Sequence, residues 1–111
     1  MSMVKTSDIL SYMDKWAPLE TAESWDNCGL QIGCLNQTNK NVLLSLDIDH
    51  TVINYLTTNP IDLIITHHPL FFKPIKQINT HTDIGKITEL LIKKNITLLS
   101  FHTNLDKCDD G

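Results

Sequence analysis

The chain has 111 residues, 41% of them apolar, with a formal net charge of −4, which suits one small soluble domain built around one core. Its nine basic side chains are all lysines and are scattered along the chain, so the concentrated positive surface that nucleic acid or an anionic membrane requires is not expected. No stretch approaches the ~20 apolar residues that span a bilayer, and the start "MSMVKTSDILSYMDKW" lacks a signal-type apolar core, so a cytoplasmic protein is expected.

The first predicted element is a helix capped by Thr6 or Ser7, with Asp8 in its first turn. Ile9, Leu10, Met13 and Trp16 recur on one face, and Pro18 ends it. The segment "ETAESWDNCGLQIG" has no clean period and is expected to be an ordered loop, with a short strand at residues 30–32. Three apolar runs follow, each ending in polar residues: "NVLLSLDID", "IDLIITHHP" and "ITLLSFHTNLD". Near-continuous runs of this kind suit parallel strands covered on both faces. Between them lie helical segments. Asp49 can cap one that carries Val52, Ile53 and Leu56 before Pro60. Thr82 or Asp83 can cap the next, which carries Ile84, Ile87, Leu90 and Leu91, with Asn95 as its stop. The fold class expected is α/β, a mostly parallel sheet with flanking helices and right-handed crossovers. Three parallel strands make a thin sheet, so either the helices and the early loop cover it or the chain is part of a larger protein.

In open α/β sheets ligands bind beyond the carboxyl ends of the strands. All three apolar runs place their polar residues there, which predicts one shared pocket holding Asp47 or Asp49, His67, His68, His102 and Asp106. Imidazoles and carboxylates without lysine or arginine suit a divalent cation such as zinc, iron, manganese or nickel. Adjacent side chains on a strand point to opposite faces, so His67 and His68 reach one site only if the backbone turns there, as Pro69 favours. A His–His pair at a strand end is also an ordinary structural or surface feature. His102 has a second reading too, holding a backbone carbonyl, while Asn104 is expected to brace the turn through its amide. Asp47 and Asp49 are read as a strand-end hydrogen bond and a helix cap in preference to ligands. His50 and His81 are assigned no role. Cys28, Cys34 and Cys108 lack Cys-x-x-Cys spacing and are read as reduced, incidental thiols.

Taken together, "ESWDNCGLQIG", "DLIITHHPLFF" and "SFHTNLD" resemble, in order and spacing, the Nif-three-like family, whose members are often called GTP cyclohydrolase 1 type 2 homologues or dinuclear metal-binding proteins. The resemblance covers essentially the whole chain. It implies an α/β fold with a two-metal site in each subunit, and assembly into hexamers. His67 and His68 would take the place of two histidine ligands and Asp106 that of a bridging aspartate, with His102, Thr103 and Asn104 close by. Glu23, Trp25, Asp26 and Asn27 match a segment expected near the pocket rather than on the metal. The family completes its site with a His-x-x-x-Glu pair from a later region that these 111 residues do not contain. Residues 1–111 are therefore expected to form a single α/β domain equivalent to an N-terminal half, with weak, single-ion or no metal binding by itself.

The function implied is that of a metal-dependent hydrolase of cyclohydrolase or phosphoesterase type acting on a small molecule, with His102 donating a proton or orienting water. The rival is a non-catalytic metal-binding adaptor, for which "PLFFKPIKQI" offers a lid or a subunit contact, although core packing for Phe71 and Phe72 is the plainer alternative. A third possibility is an inactive scaffold that self-associates through exposed sheet edge. A homo-oligomer is expected, without nucleic acid or membrane partners.

Overall fold

The structure, a computed structural model, describes residues 3–107, so Cys108 lies outside the described residues. The elements in chain order are β1 (Val4–Lys5), α1 (Thr6–Trp16), a 3-10 turn (Leu19–Thr21), β2 (Gly29–Ile32), β3 (Thr38–Asn39), β4 (Val42–Ser45), α2 (His50–Thr58), β5 (Leu63–Thr66), α3 (Asp83–Lys93), β6 (Thr97–Ser100) and α4 (Thr103–Asp106). The main sheet has four strands in the order β2–β6–β5–β4, and β1 and β3 form a separate two-stranded pair. The expected α/β class holds: β4, β5 and β6 are parallel. The expected thinness is relieved by β2, the strand within the early loop, which pairs antiparallel with the outer edge of β6.

The register positions everything that follows. Ser45, Thr66 and Ser100 lie side by side as the last residues of the three parallel strands. The segments after them therefore leave the sheet at one level. Beneath that level the Thr66 and Ser100 hydroxyls share a buried hydrogen bond of 2.7 Å.

Each strand splits its side chains between two layers. Ile64 and Leu98 pack with Val52 and Leu56 of α2, Ile87 and Leu91 of α3, Ile32 of β2 and Ile96 in one core cluster. Leu63 and Leu99 face the other way and, with Phe101, pack against Ile9, Leu10 and Met13 of α1. All four residues of β6 are buried, because strands flank it on both sides and helices cover both faces. The expectation that all three parallel strands are covered on both faces fails at β4. This strand lies at the sheet edge, where Leu44 is 71% exposed and Val42 and Leu46 are exposed with it.

The helix caps differ in one place. Neither Thr6 nor Ser7 caps α1 through its side chain; the cap position is Lys5, and Thr6 is the first helical residue and fully buried. Backbone carbonyls cap the helix instead, Thr6 N–H donating to Gln37 O and Ser7 N–H to Leu35 O, both at 2.9 Å. That frees the Thr6 hydroxyl to accept from Asn39 Nδ2 at 3.0 Å, tying α1 to β3. The other caps match the sequence. Asp49 Oδ1 accepts from Val52 N–H and Thr82 Oγ1 from Gly85 N–H. Asn95, at φ +56°, closes α3 in a left-handed turn, with Asn95 N–H donating to Ile92 O and Ile96 N–H to Leu91 O. Trp16 and Ile84, expected on apolar faces, are exposed. Gly33, at φ +113°, ends β2 so close to β6 that a Cβ there would lie 2.8 Å from Thr97 Cα.

Candidate metal centre

His67 and His68 follow β5, and His102 follows β6. The backbone bends beyond Thr66: its hydroxyl donates to His68 O at 2.9 Å, while His67 N–H and His68 N–H donate to Ser45 O and Leu46 O of the β4 segment. The bend brings the two adjacent imidazoles together, with ring centroids 5.0 Å apart. His102 completes a triangle, 5.0 Å from His67 and 5.4 Å from His68. One ring nitrogen from each of the three lies within 4.8 Å of the others, close enough to converge on a metal ion.

Each imidazole also has its own carboxylate. His67 Nε2 lies 3.0 Å from Asp106 Oδ1, His68 Nδ1 lies 2.8 Å from Asp47 Oδ1, and His102 Nδ1 lies 3.1 Å from Asp26 Oδ2. A metal-binding histidine typically gives its second nitrogen to such a partner, which sets the tautomer and the ring orientation. The donor set thus fits a divalent transition metal.

Asp26 is the most constrained of the three carboxylates, with its side chain fully buried. Its Oδ2 accepts from Thr103 Oγ1 at 2.6 Å, from Thr103 N–H at 3.0 Å and from the His102 ring, and Asn27 N–H donates to Oδ1 at 2.9 Å. Burial by itself would raise its carboxyl pKa. The hydrogen bonds from Thr103, His102 and Asn27 outweigh it and hold the group well below the usual carboxylate range. Cys28 lies against the same oxygen, donating to Asp26 Oδ2 at 3.4 Å. Burial pushes its thiol up from its ordinary value, and the neighbouring charge of Asp26 adds to the rise against the N–H groups of His102 and Asn104.

The remaining sequence-predicted residues take distinct places. Thr103 is buried; its hydroxyl accepts from Glu23 N–H at 2.8 Å and so joins the early loop to α4. Asn104 is fully buried beneath α4, its Nδ2 donating to Ala17 O at 2.8 Å and its Oδ1 accepting from His102 N–H at 3.0 Å. That is the brace expected of it, and its amide faces the end of α1. Asn27 reaches the next loop, with Nδ2 donating to Phe71 O at 2.8 Å. Trp25 stands at the rim, edge-on to His102 with centroids 6.2 Å apart. Asp49 is spent on its helix cap, whereas Asp47 serves His68. The sequence did not single out Cys28 as a neighbour of the cluster. It also left Phe71 and Phe72 undivided: Phe71 packs on the core and Phe72 is exposed beside Trp25. A cavity of about 670 Å³ between α2 and α3 involves none of these residues apart from Asp49.

Residues 4–111 match the family Duf34/NIF3 (NGG1p interacting factor 3). The chain belongs to this family. Among Duf34/NIF3 relatives, it is 42% identical to the GTP cyclohydrolase 1 type 2 of Helicobacter pylori (strain J99) over 107 residues, 96% of this chain and 42% of that protein. It is 38% identical to the GTP cyclohydrolase 1 type 2 homolog of Bacillus subtilis (strain 168) over 108 residues, 97% of this chain and 29% of that protein. The solved structure of Staphylococcus aureus protein SA1388 superposes with a TM-score of 0.90 at 38% identity, over all of this chain and 32% of that one. Reduced HcgD from Methanocaldococcus jannaschii superposes with a TM-score of 0.89 at 34% identity, over all of this chain and 44% of that one. The chain therefore spans less than half the length of these Duf34/NIF3 relatives. Among the described residues, no helix is long and apolar enough to cross a membrane.

Proposed function

We propose that the histidine cluster binds a divalent transition metal and serves a metal-dependent hydrolase whose substrate is a small nucleotide-like molecule. The observation that carries this reading is the convergence of His67, His68 and His102, with Asp106 beside His67, Asp47 behind His68 and Asp26 behind His102. His67, His68 and Asp106 would hold the ion. When bound, it supplies a Lewis acid that polarises a substrate oxygen and brings the pKa of water toward neutrality.

The chain's own groups divide the remaining work. Asp47 holds His68 Nδ1 and so leaves His68 Nε2 for the cluster. Asp26, ionised at any physiological pH, keeps the proton of His102 on Nδ1. His102 Nε2 then carries a free lone pair, able to take a proton from water and return it to a leaving group. The name of the Helicobacter pylori relative, GTP cyclohydrolase 1 type 2, favours a nucleotide as the substrate class.

Zinc titration by isothermal calorimetry tests the reading. A weak, single-ion isotherm for the 111-residue chain is expected, abolished by His68→Ala. Tight binding of two ions by the unmutated chain would contradict the expected incompleteness of the site, and binding heat unchanged in His68→Ala would remove His68 from it. Turnover of nucleotides and phosphoesters by the metal-loaded protein, lost in the same variant, would then establish the hydrolase.

One observation favours a second reading, that of a metal-binding interaction protein. Val42, Leu44 and Leu46 form an exposed apolar row at the sheet edge, suited to a contact with another copy or another chain. Partner capture that survives in a variant without turnover would favour it. A cytoplasmic homo-oligomer belongs to both readings, and sedimentation of the purified protein tests the assembly.

A further inference from the structure

Two large aromatic rings stand at the rim of the histidine cluster without being buried. Trp25 is 55% exposed and Phe72 is 47% exposed. They lean on one another at 5.7 Å between centroids and 48° between planes, and Trp25 meets His102 edge-on. The rings therefore run in a continuous path from Phe72 through Trp25 to His102, and on to His67 and His68.

Their exposure does not come from a slack backbone. Asp26, next to Trp25, is held by the N–H and the hydroxyl of Thr103. Asn27 donates through Nδ2 to Phe71 O, Gln31 Oε1 accepts from Phe71 N–H at 3.1 Å, and Gln31 Nε2 donates to Asn27 O at 2.9 Å. This triangle of Asn27, Gln31 and Phe71 clamps the two aromatic-bearing loops together. The Asp26 side chain and the backbone of Asn27 and Phe71 are thus held beside the two rings, and the rings themselves stay exposed. That is the preorganisation a binding surface needs, since little freedom is left to lose when a ligand arrives.

We propose that Trp25, propped by Phe72, is the stacking platform for the planar heteroaromatic ring of the substrate, a purine-type base whose polar substituents reach the histidine cluster. The geometry sets the mode of contact. A ring inserted between two others needs them about 7 Å apart, twice a carbon–carbon contact distance. Trp25 and Phe72 are closer than this, so the base lies on the free face of the indole and not between the two rings. From there it sits beside His102. The purine-type identity of the ring and the placement of its polar end rest on the reading above; the stacking contact itself does not.

The test uses the chain's two tryptophans. In a Trp16→Phe variant the emission comes from Trp25 alone, and GTP is titrated with and without zinc, with tripolyphosphate as the probe lacking a base. Saturable quenching by GTP and none by tripolyphosphate is expected. Read by isothermal calorimetry, Trp25→Ala should weaken GTP binding about tenfold, as loss of one stacked base does, while leaving zinc affinity unchanged; Trp25→Phe should retain most of the GTP affinity. Quenching that is absent in both the zinc-loaded and zinc-free protein overturns the proposal, as does an unaltered GTP affinity in Trp25→Ala. Quenching that persists in a protein unable to bind zinc defeats the metal reading and leaves the platform standing.

Discussion

The buried carboxylate of Asp26 lies 3.1 Å from Nδ1 of His102, a residue 76 positions further along the chain. Through that contact a loop without regular structure fixes the orientation of a ring at the end of the central strand.

Replacing Asp26 by asparagine leaves one acceptor oxygen for Thr103 and His102, removes the charge and sets an N–H against that of Asn27. The cost expected is about 2–4 kcal/mol, that of breaking a buried, charge-assisted network. Urea denaturation near neutral pH reads it. The pH dependence carries a second signature. Because folding lowers the pKa of Asp26 from its ordinary value of 3.8, its contribution is full above that value and is lost as pH falls below it toward the folded value. The stability gap between the unmutated chain and Asp26→Asn should therefore be flat from neutrality to about pH 5 and close at lower pH. A gap that widens on acidification would contradict this.

Asp47 meets the candidate metal site through His68. Asp47→Asn should leave the melting temperature nearly unchanged, because both side chains are largely exposed. Zinc affinity should fall about 10- to 100-fold, the usual effect of removing a carboxylate behind a metal-binding histidine. Equal zinc affinity in the two proteins would remove Asp47 from the site.

Asn104 satisfies two backbone groups at once, Ala17 O and His102 N–H. Asn104→Leu fits the volume but strands both. A loss of about 2 kcal/mol is expected, with the NMR signals of His102 shifted as α4 loosens from the end of α1. A variant as stable as the parent would show that water replaces the amide at no cost.

Gly33→Ala combines a disfavoured positive φ with a clash against the backbone of Thr97. It should cost about 2 kcal/mol or more. The effect should be local to the β2–β6 edge, so hydrogen exchange is expected to rise there first while α2 and α3 keep their protection.

Much of the architecture was legible because it is written in local pattern. The apolar runs of β5 and β6, the caps at Asp49 and Thr82, and the left-handed stop at Asn95 all follow from side-chain chemistry within a few residues. That the histidines after β5 and β6 come together was legible from the strand order, since parallel strands in register release their ends at one level. What escaped depends on partners distant in sequence. The Thr6 hydroxyl is claimed by Asn39, 33 residues away, and the backbone at residues 35 and 37 caps α1 in its place. Nothing in "NVLLSLDID" announces that β4 lies at an edge, because burial there depends on which strand has no outer neighbour. Likewise no spacing rule joins Asp26 to His102 or seats Cys28 beneath them.

The pairing of each imidazole with a carboxylate also has an electrostatic consequence. Asp26, Asp47 and Asp106 gather three carboxylates around one group of rings. The protein thus supplies beforehand the countercharge that an incoming cation would otherwise have to find in solution. Such an arrangement attracts a dication from a distance as well as at contact, and salt screens the distant part first. Zinc affinity measured at rising ionic strength should therefore fall, and an affinity indifferent to salt would show that the carboxylates act through their hydrogen bonds and not through their charge.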